Sequence, residues 1–240
     1  MMNVKTFRLY IVLLISLLAP FLGSHARILG AEAQPSSPQG TPKGKGALGL
    51  YLSADIFGYI YPVFVKDAYY SSELSATLAI DNRFFPTVEV GMGSADMVSQ
   101  LYEIGYRTRA PYYRVGMDYN MQYEKDKPGY IFLGGRVGYT SFDYSVEAPP
   151  LRDPIWGDEA AVQFVDVPCR TLWVEAVGGV RAEIAKNFWM GWSLRYKYPI
   201  YQGKLSHGGP WYIPGFGVGK KGVLGAAYTI SYYFNLSKKK

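Results

Sequence analysis

Cysteine is almost missing from this chain: Cys169 stands alone among 240 residues. A single thiol excludes an internal disulfide framework and a cysteine-built metal cluster. Histidine is nearly as scarce, with only His25 and His207. Charge is thin, at 18% of residues, and the net +6 is no nucleic-acid footprint. Lys5, Arg8 and Arg27 sit in an N-terminal leader, and Lys238, Lys239 and Lys240 form a short terminal tail. Past the leader no apolar run is long enough for a membrane helix, so a membrane protein with this sequence has to be a barrel. HExxH, CxxC, GxSxG and Walker signatures are absent as well. Tyrosine (22 residues) and glycine (27) are plentiful, and these line and punctuate β structure.

Residues 1–33 read as a secretory signal peptide. Lys5 and Arg8 precede an apolar stretch from Leu9 to Leu22, which is shorter than the roughly 20 residues of a membrane helix. Small residues follow at Ser24-His25-Ala26 and Ala31-Glu32-Ala33, giving two candidate cleavage sites. Residues 34–46, rich in Pro, Gly and Ser, read as a flexible linker. The folded domain is expected over residues 47–240.

In that domain the dominant period is two. Eight segments alternate apolar and polar residues, starting at Leu48, Glu73, Thr87, Tyr112, Ile131, Leu172, Phe188 and Leu224. Most run about 9–13 residues, longer than the usual 5–6 of soluble strands and close to the 9–11 of tilted membrane strands. Short polar turns at 81–84, 121–128 and 185–187 alternate with long loops at 57–71, 94–110, 143–170 and 199–221. The expected fold is all-β: a closed antiparallel eight-stranded up-and-down transmembrane β-barrel of outer-membrane type, with both termini on the short-turn side.

Alternation alone also fits a soluble sandwich or a lipocalin-like barrel. Three features favour apolar residues facing lipid. Ionic residues share their face with glycine, as in Arg114-Gly116-Asp118 and Gly134-Arg136-Gly138, and a narrow lumen needs that room. Both signs occur there: Asp55, Glu73, Glu89, Asp118, Glu175 and Glu183 can meet Arg114, Arg136, Arg181, Arg195 and Lys197 as a lumen ion-pair network. Aromatics such as Tyr113, Tyr139, Tyr198 and Phe234 sit toward strand ends on the apolar face, as at membrane interfaces.

The C-terminal third carries NFWMGWSLRYKYPIYQ (187–202), WYIPGFG (211–217) and GAAYTISYYFNL (225–236), with WVEAVGGVRAEI (173–184) before them. These motifs resemble an uncharacterised Bacteroidetes family of small outer-membrane-type β-barrel proteins, a domain of unknown function, over roughly Leu48 to Leu236. The resemblance implies a secreted barrel and no particular activity.

Chemistry-bearing candidates are few. His207 lies in SHGGP of an outer loop and reads as solvated; its neighbour Ser206 makes no triad. Cys169, after Pro168, reads as a small side chain where a loop enters a strand. Glu175 and Glu183 share a face with arginines and read as structural ion pairs. Trp211 and Tyr212 either order the last outer loop or offer a surface for glycan or lipid. The expectation is a non-enzymatic outer-membrane protein, structural or surface-interacting, with a side-chain-filled lumen and no cofactor. Its partners would be outer-membrane lipid and the barrel assembly machinery, with no nucleic acid. A lipid- or envelope-modifying enzyme and a soluble secreted ligand binder are the alternatives.

Overall fold

Period-two patterning becomes eight antiparallel strands arranged in a ring. The computed structural model describes residues 48–56, 58, 69–99, 103–124, 128–152, 159–160, 163–203, 209–219 and 221–237. The signal-peptide and linker readings, His207 and the terminal lysines lie outside these residues.

The strands are β1 (Leu48–Asp55), β2 (Tyr70–Ile80), β3 (Phe84–Val98), β4 (Gly105–Asn120), β5 (Gly129–Glu147), β6 (Gln163–Ala185), β7 (Phe188–Gln202) and β8 (Val223–Asn235). Each pairs with its chain neighbour, and β1 also pairs with β8, from Gly49↔Asn235 to Asp55↔Thr229. Tight turns set the register at one end. Between β2 and β3, Asp81 and Asn82 hold φ of 52° and 53°, and the Arg83 N–H reaches the Ile80 carbonyl at 3.0 Å. Two successive positive φ values mark a primed turn, whose twist matches that of the flanking strands.

At the other end the strands outrun the sequence reading. Residues 94–110 and 143–170 read as long loops, yet β3 continues to Val98, β4 starts at Gly105, β5 reaches Glu147 and β6 starts at Gln163. At about 3.3 Å per residue, the stretch of β5 beyond Tyr139 adds roughly 26 Å. The physical reason is an exchange of faces. From Pro111 to Tyr119 the outward side chains of β4 are apolar, and on β5 the same holds from Ile131 to Tyr139. Tyr113 and Tyr139 are register partners near the top of this band. Above it the outward residues are Arg107, Arg109, Ser141 and Asp143, while Tyr106, Ala110, Phe142 and Tyr144 point in and are buried. Parity continues unbroken; the kinds of residue on the two faces trade places.

The interior is therefore layered. At the turn end Tyr51, Phe85, Tyr130, Phe132, Trp189 and Tyr233 form an aromatic floor. At the loop end Tyr106, Tyr112, Phe142, Tyr144, Trp173 and Phe216 belong to an aromatic roof. Ionic residues fill the level between. The expectation of a polar interior is corrected on this point: aromatic clusters lie on either side of the ionic layer. Cys169 is corrected too, since it sits within β6 and is buried in the roof cluster.

Candidate functional site

The middle layer is a connected cluster of arginines and carboxylates. Glu89 of β3 accepts from Arg114 of β4 (3.1 Å), Arg136 of β5 (3.1 Å) and Arg195 of β7 (2.8 Å). Arg136 also grips both oxygens of Asp118, at 2.6 and 2.8 Å. Glu73 of β2 meets Arg114 in a short contact and Arg195 at 3.1 Å. Glu175 of β6 lies 2.8 Å from Arg114 Nε and 3.7 Å from Arg195, and accepts from the Trp173 indole at 2.6 Å. All seven side chains are buried. Their spacing follows from strand parity: each inward position on one strand faces inward positions on its neighbours, and the ring brings β2 and β7 together across the lumen.

Glycine makes the room. A Cβ on Gly116 would strike the Arg136 side chain, and one on Gly134 would strike Asp118. A Cβ on Gly138 would run into the Trp173 indole. Gly138→Val is expected to cost about 1–3 kcal/mol by overpacking, read as a lower urea midpoint of the folded protein.

Four residues assigned to the network make other contacts. Asp55 accepts the Tyr228 backbone N–H at 3.1 Å, where β1 meets β8. Glu183 accepts the Asn187 N–H at 3.2 Å in the β6–β7 turn. Lys197 donates to the Gly215 carbonyl at 2.7 Å. Arg181 makes no ion pair among the described residues; it donates to the Tyr130 hydroxyl at 3.2 Å, with Tyr51, Tyr130 and Phe132 rings around it.

Between β7 and β8, residues 212–216 are buried. Tyr212–Ile213 pairs with Gly217–Val218 around a Pro214-Gly215 turn, closed by the Phe216 N–H on the Ile213 carbonyl at 3.1 Å. Gly215 has φ of 77°, and a Cβ there would collide with the Tyr112 ring. Pro followed by a positive-φ glycine is a type II turn. This turn presents the Gly215 carbonyl to Arg114 Nη2 at 2.7 Å as well as to Lys197. Tyr106 donates to the Tyr212 carbonyl at 2.7 Å. Tyr212 is only 1% exposed and Trp211 stacks on Tyr106 at 5.5 Å, so the reading of Tyr212 as an outer contact surface is corrected. Its phenol, stacked on Tyr69 at 5.0 Å, is pushed above its ordinary range by burial and brings no charge inward. Tyr106→Phe leaves the Tyr212 carbonyl without its donor and is expected to cost about 0.5–1.5 kcal/mol. Faster proteolytic cutting near Trp211 would report the loosened turn.

A cleft of about 430 Å³ lies beside this inserted turn. Its wall holds a chain of polar groups of which the sequence singled out only Glu73. Ser71 Oγ is 3.1 Å from the Tyr112 hydroxyl, which donates to Glu73 at 3.0 Å. Glu73 already accepts from two arginines, so the polar chain ends in the ionic cluster. The chain orders the Tyr112 ring beneath the turn. Among the described residues no group of His, Cys, Asp and Glu is placed to hold a metal ion.

The family model described as "Domain of unknown function (DUF6048)" matches residues 6–239. No curated protein matches the sequence. Among solved structures, the chain is similar to a major outer membrane protein from Thermus thermophilus (12% identity, 79% of this chain and 100% of that chain, TM-score 0.44). It is also similar to Ail, the attachment invasion locus protein of Yersinia pestis (9%, 80% and 100%, 0.38). Neisserial surface protein A is a third (11%, 78% and 91%, 0.35).

Proposed function

The chain belongs to the DUF6048 family, and from that premise we propose that it is a non-enzymatic β-barrel of the outer membrane, structural or surface-interacting, whose lumen is filled rather than conducting. The exchange of faces at Tyr113 and Tyr139 carries this reading. Below that level the outward face is apolar for about nine residues per strand, matching the 9–11 that a tilted strand needs to cross hydrocarbon. Above it the outward face is charged and the interior apolar, the arrangement of a sheet in water. A soluble sandwich has no reason to change faces halfway along its strands.

The aromatic floor and roof, with the ionic layer between, support a closed lumen. The alternation of short turns and extended strand ends supports both termini lying on the periplasmic side. The family resemblance of the C-terminal motifs supports a Bacteroidetes source. Lipid at the apolar band and the assembly machinery during insertion are the partners this reading requires.

Extraction from membranes only with detergent, together with a heat-dependent shift in gel mobility, is the expected behaviour. In planar bilayers the purified protein should add no stable conductance. Recovery from the periplasm without detergent would overturn the membrane assignment, and a large steady conductance would overturn the filled lumen.

A further inference from the structure

The ring has a notch at its seam. β1 ends at Asp55, opposite Glu73 of β2 and Thr229 of β8, whereas β2 reaches Tyr70 and β8 reaches Val223. At the last paired level the Tyr228 carbonyl accepts the Ile56 N–H, and the Tyr228 N–H donates to Asp55. Two and four positions before Tyr228, the backbone groups of Ala226 and Leu224 face the same side. Among the described residues no strand pairs with them there. The cleft of about 430 Å³ beside the inserted turn occupies this notch, with Leu194, Leu224 and Ala226 on its β8 side. Pockets that hold small molecules run to roughly 300–1,000 Å³.

The lip and the wall of the cleft differ in kind. Leu224 and Leu194 are 79% and 68% exposed, more than any other large apolar side chain among the described residues. On the membrane reading this lip meets hydrocarbon. Backbone groups without a strand partner persist at that depth only where they line a cavity that satisfies them.

One charge on the wall has no counterpart. The four lumen arginines are matched in number by Glu73, Glu89, Asp118 and Glu175. Lys197 is a fifth cation and makes no ion pair among the described residues. An ammonium offers three donors. The Gly215 carbonyl, at 2.7 Å, takes one and is shared with Arg114 Nη2. Lys197 Nζ passes beside Gly225, within 3.6 Å of where a Cβ would stand, between the two unpaired positions of β8. Asp55, the other carboxylate on the wall, is engaged at the seam.

We propose that the cleft binds one long-chain carboxylate that enters sideways from the membrane. Its head meets Lys197 Nζ and the backbone N–H groups of Ala226 and Leu224, and its chain runs out over Leu194 and Leu224. One negative charge answers one unmatched ammonium, and the apolar lip continues the hydrocarbon around the chain.

This inference rests on the membrane reading, and its test separates the two. Native mass spectrometry of the full chain in detergent, titrated with oleate, should show a single saturable adduct. Oleyl alcohol, of equal chain length and uncharged, should give none. Lys197→Gln should weaken oleate binding about tenfold, the loss of one charge-assisted bond. Ala226→Trp, which adds bulk at the lip, should weaken it as well. Ala176→Trp, the same change on the outward face of β6, should bind oleate as the unaltered protein does. Adducts that grow without saturation, equal uptake of oleyl alcohol, or unchanged binding by Lys197→Gln would overturn the proposal. If Lys197→Gln does not fold, the two tryptophan variants decide. A protein that needs detergent and shows the heat-dependent gel shift yet takes up no oleate defeats this proposal alone; one recovered without detergent defeats the membrane reading with it.

Discussion

Replacing Glu89 with glutamine is expected to lower the unfolding free energy by about 3–5 kcal/mol, the largest effect of any single change in the lumen. Glu89 is the one carboxylate that three arginines share, at 3.1, 3.1 and 2.8 Å. Glutamine keeps the shape and one acceptor but removes the charge. Three buried guanidinium groups would then be left with Glu73, Asp118 and Glu175. Urea titration of the protein refolded into lipid vesicles would measure the loss. Asp96→Asn is the internal control. Asp96 pairs with Arg107 at 3.3 Å with both side chains well exposed, and its loss should cost about 0–1 kcal/mol. Equal effects at the two sites would show that the central cluster is wetter than its burial implies. The cluster is better understood as fixing the arrangement of the strands than as a net source of stability, since a well-packed apolar replacement of a whole buried ionic set is often as stable.

Val115→Arg tests the outward face with comparable force. Val115 sits mid-way along the apolar band of β4 and is 58% exposed. On the surface of a soluble protein such a substitution is nearly free, whereas at the middle of a bilayer arginine costs about 2–4 kcal/mol in a barrel. Ser141→Arg, on the outward face of β5 above Tyr139, should cost only about 0–1 kcal/mol. A clear gap between the two in vesicle refolding is the expected result. Identical, small effects would sink the membrane reading while leaving the ring intact.

The sequence reveals the ring more readily than its height. Alternation at Leu48–Ile56 or Leu224–Phe234 is legible because one kind of residue keeps to one face throughout. Along β4 and β5 the residues trade faces near Tyr113 and Tyr139, so a search for one apolar face stops there. Arg107-Thr108-Arg109 then reads as loop although Tyr106, Thr108 and Ala110 point into a packed interior. Parity alone identifies Glu73, Glu89, Arg114, Asp118, Arg136, Glu175 and Arg195 as inward neighbours. It does not say which carboxylate serves which arginine, because contacts across the lumen depend on strand tilt and on side-chain reach. Nor does parity place Tyr212. Its inward position depends on the geometry at Pro214-Gly215 and on Arg114, about a hundred residues earlier, and a local pattern carries no trace of that.

The pairing of β1 with β8 has a kinetic consequence. Every other junction in the ring joins strands consecutive in the chain, but this one brings Gly49 to Asn235. Loop-closure entropy makes such a contact the slowest to find, and no local turn helps it form. Until it forms, β1 and β8 present unpaired backbone edges, which on the proposed membrane reading hydrocarbon does not tolerate. Closure of that seam is therefore the expected rate-limiting event, and the intermediate before it is an open sheet whose two edges belong to the opposite ends of the domain.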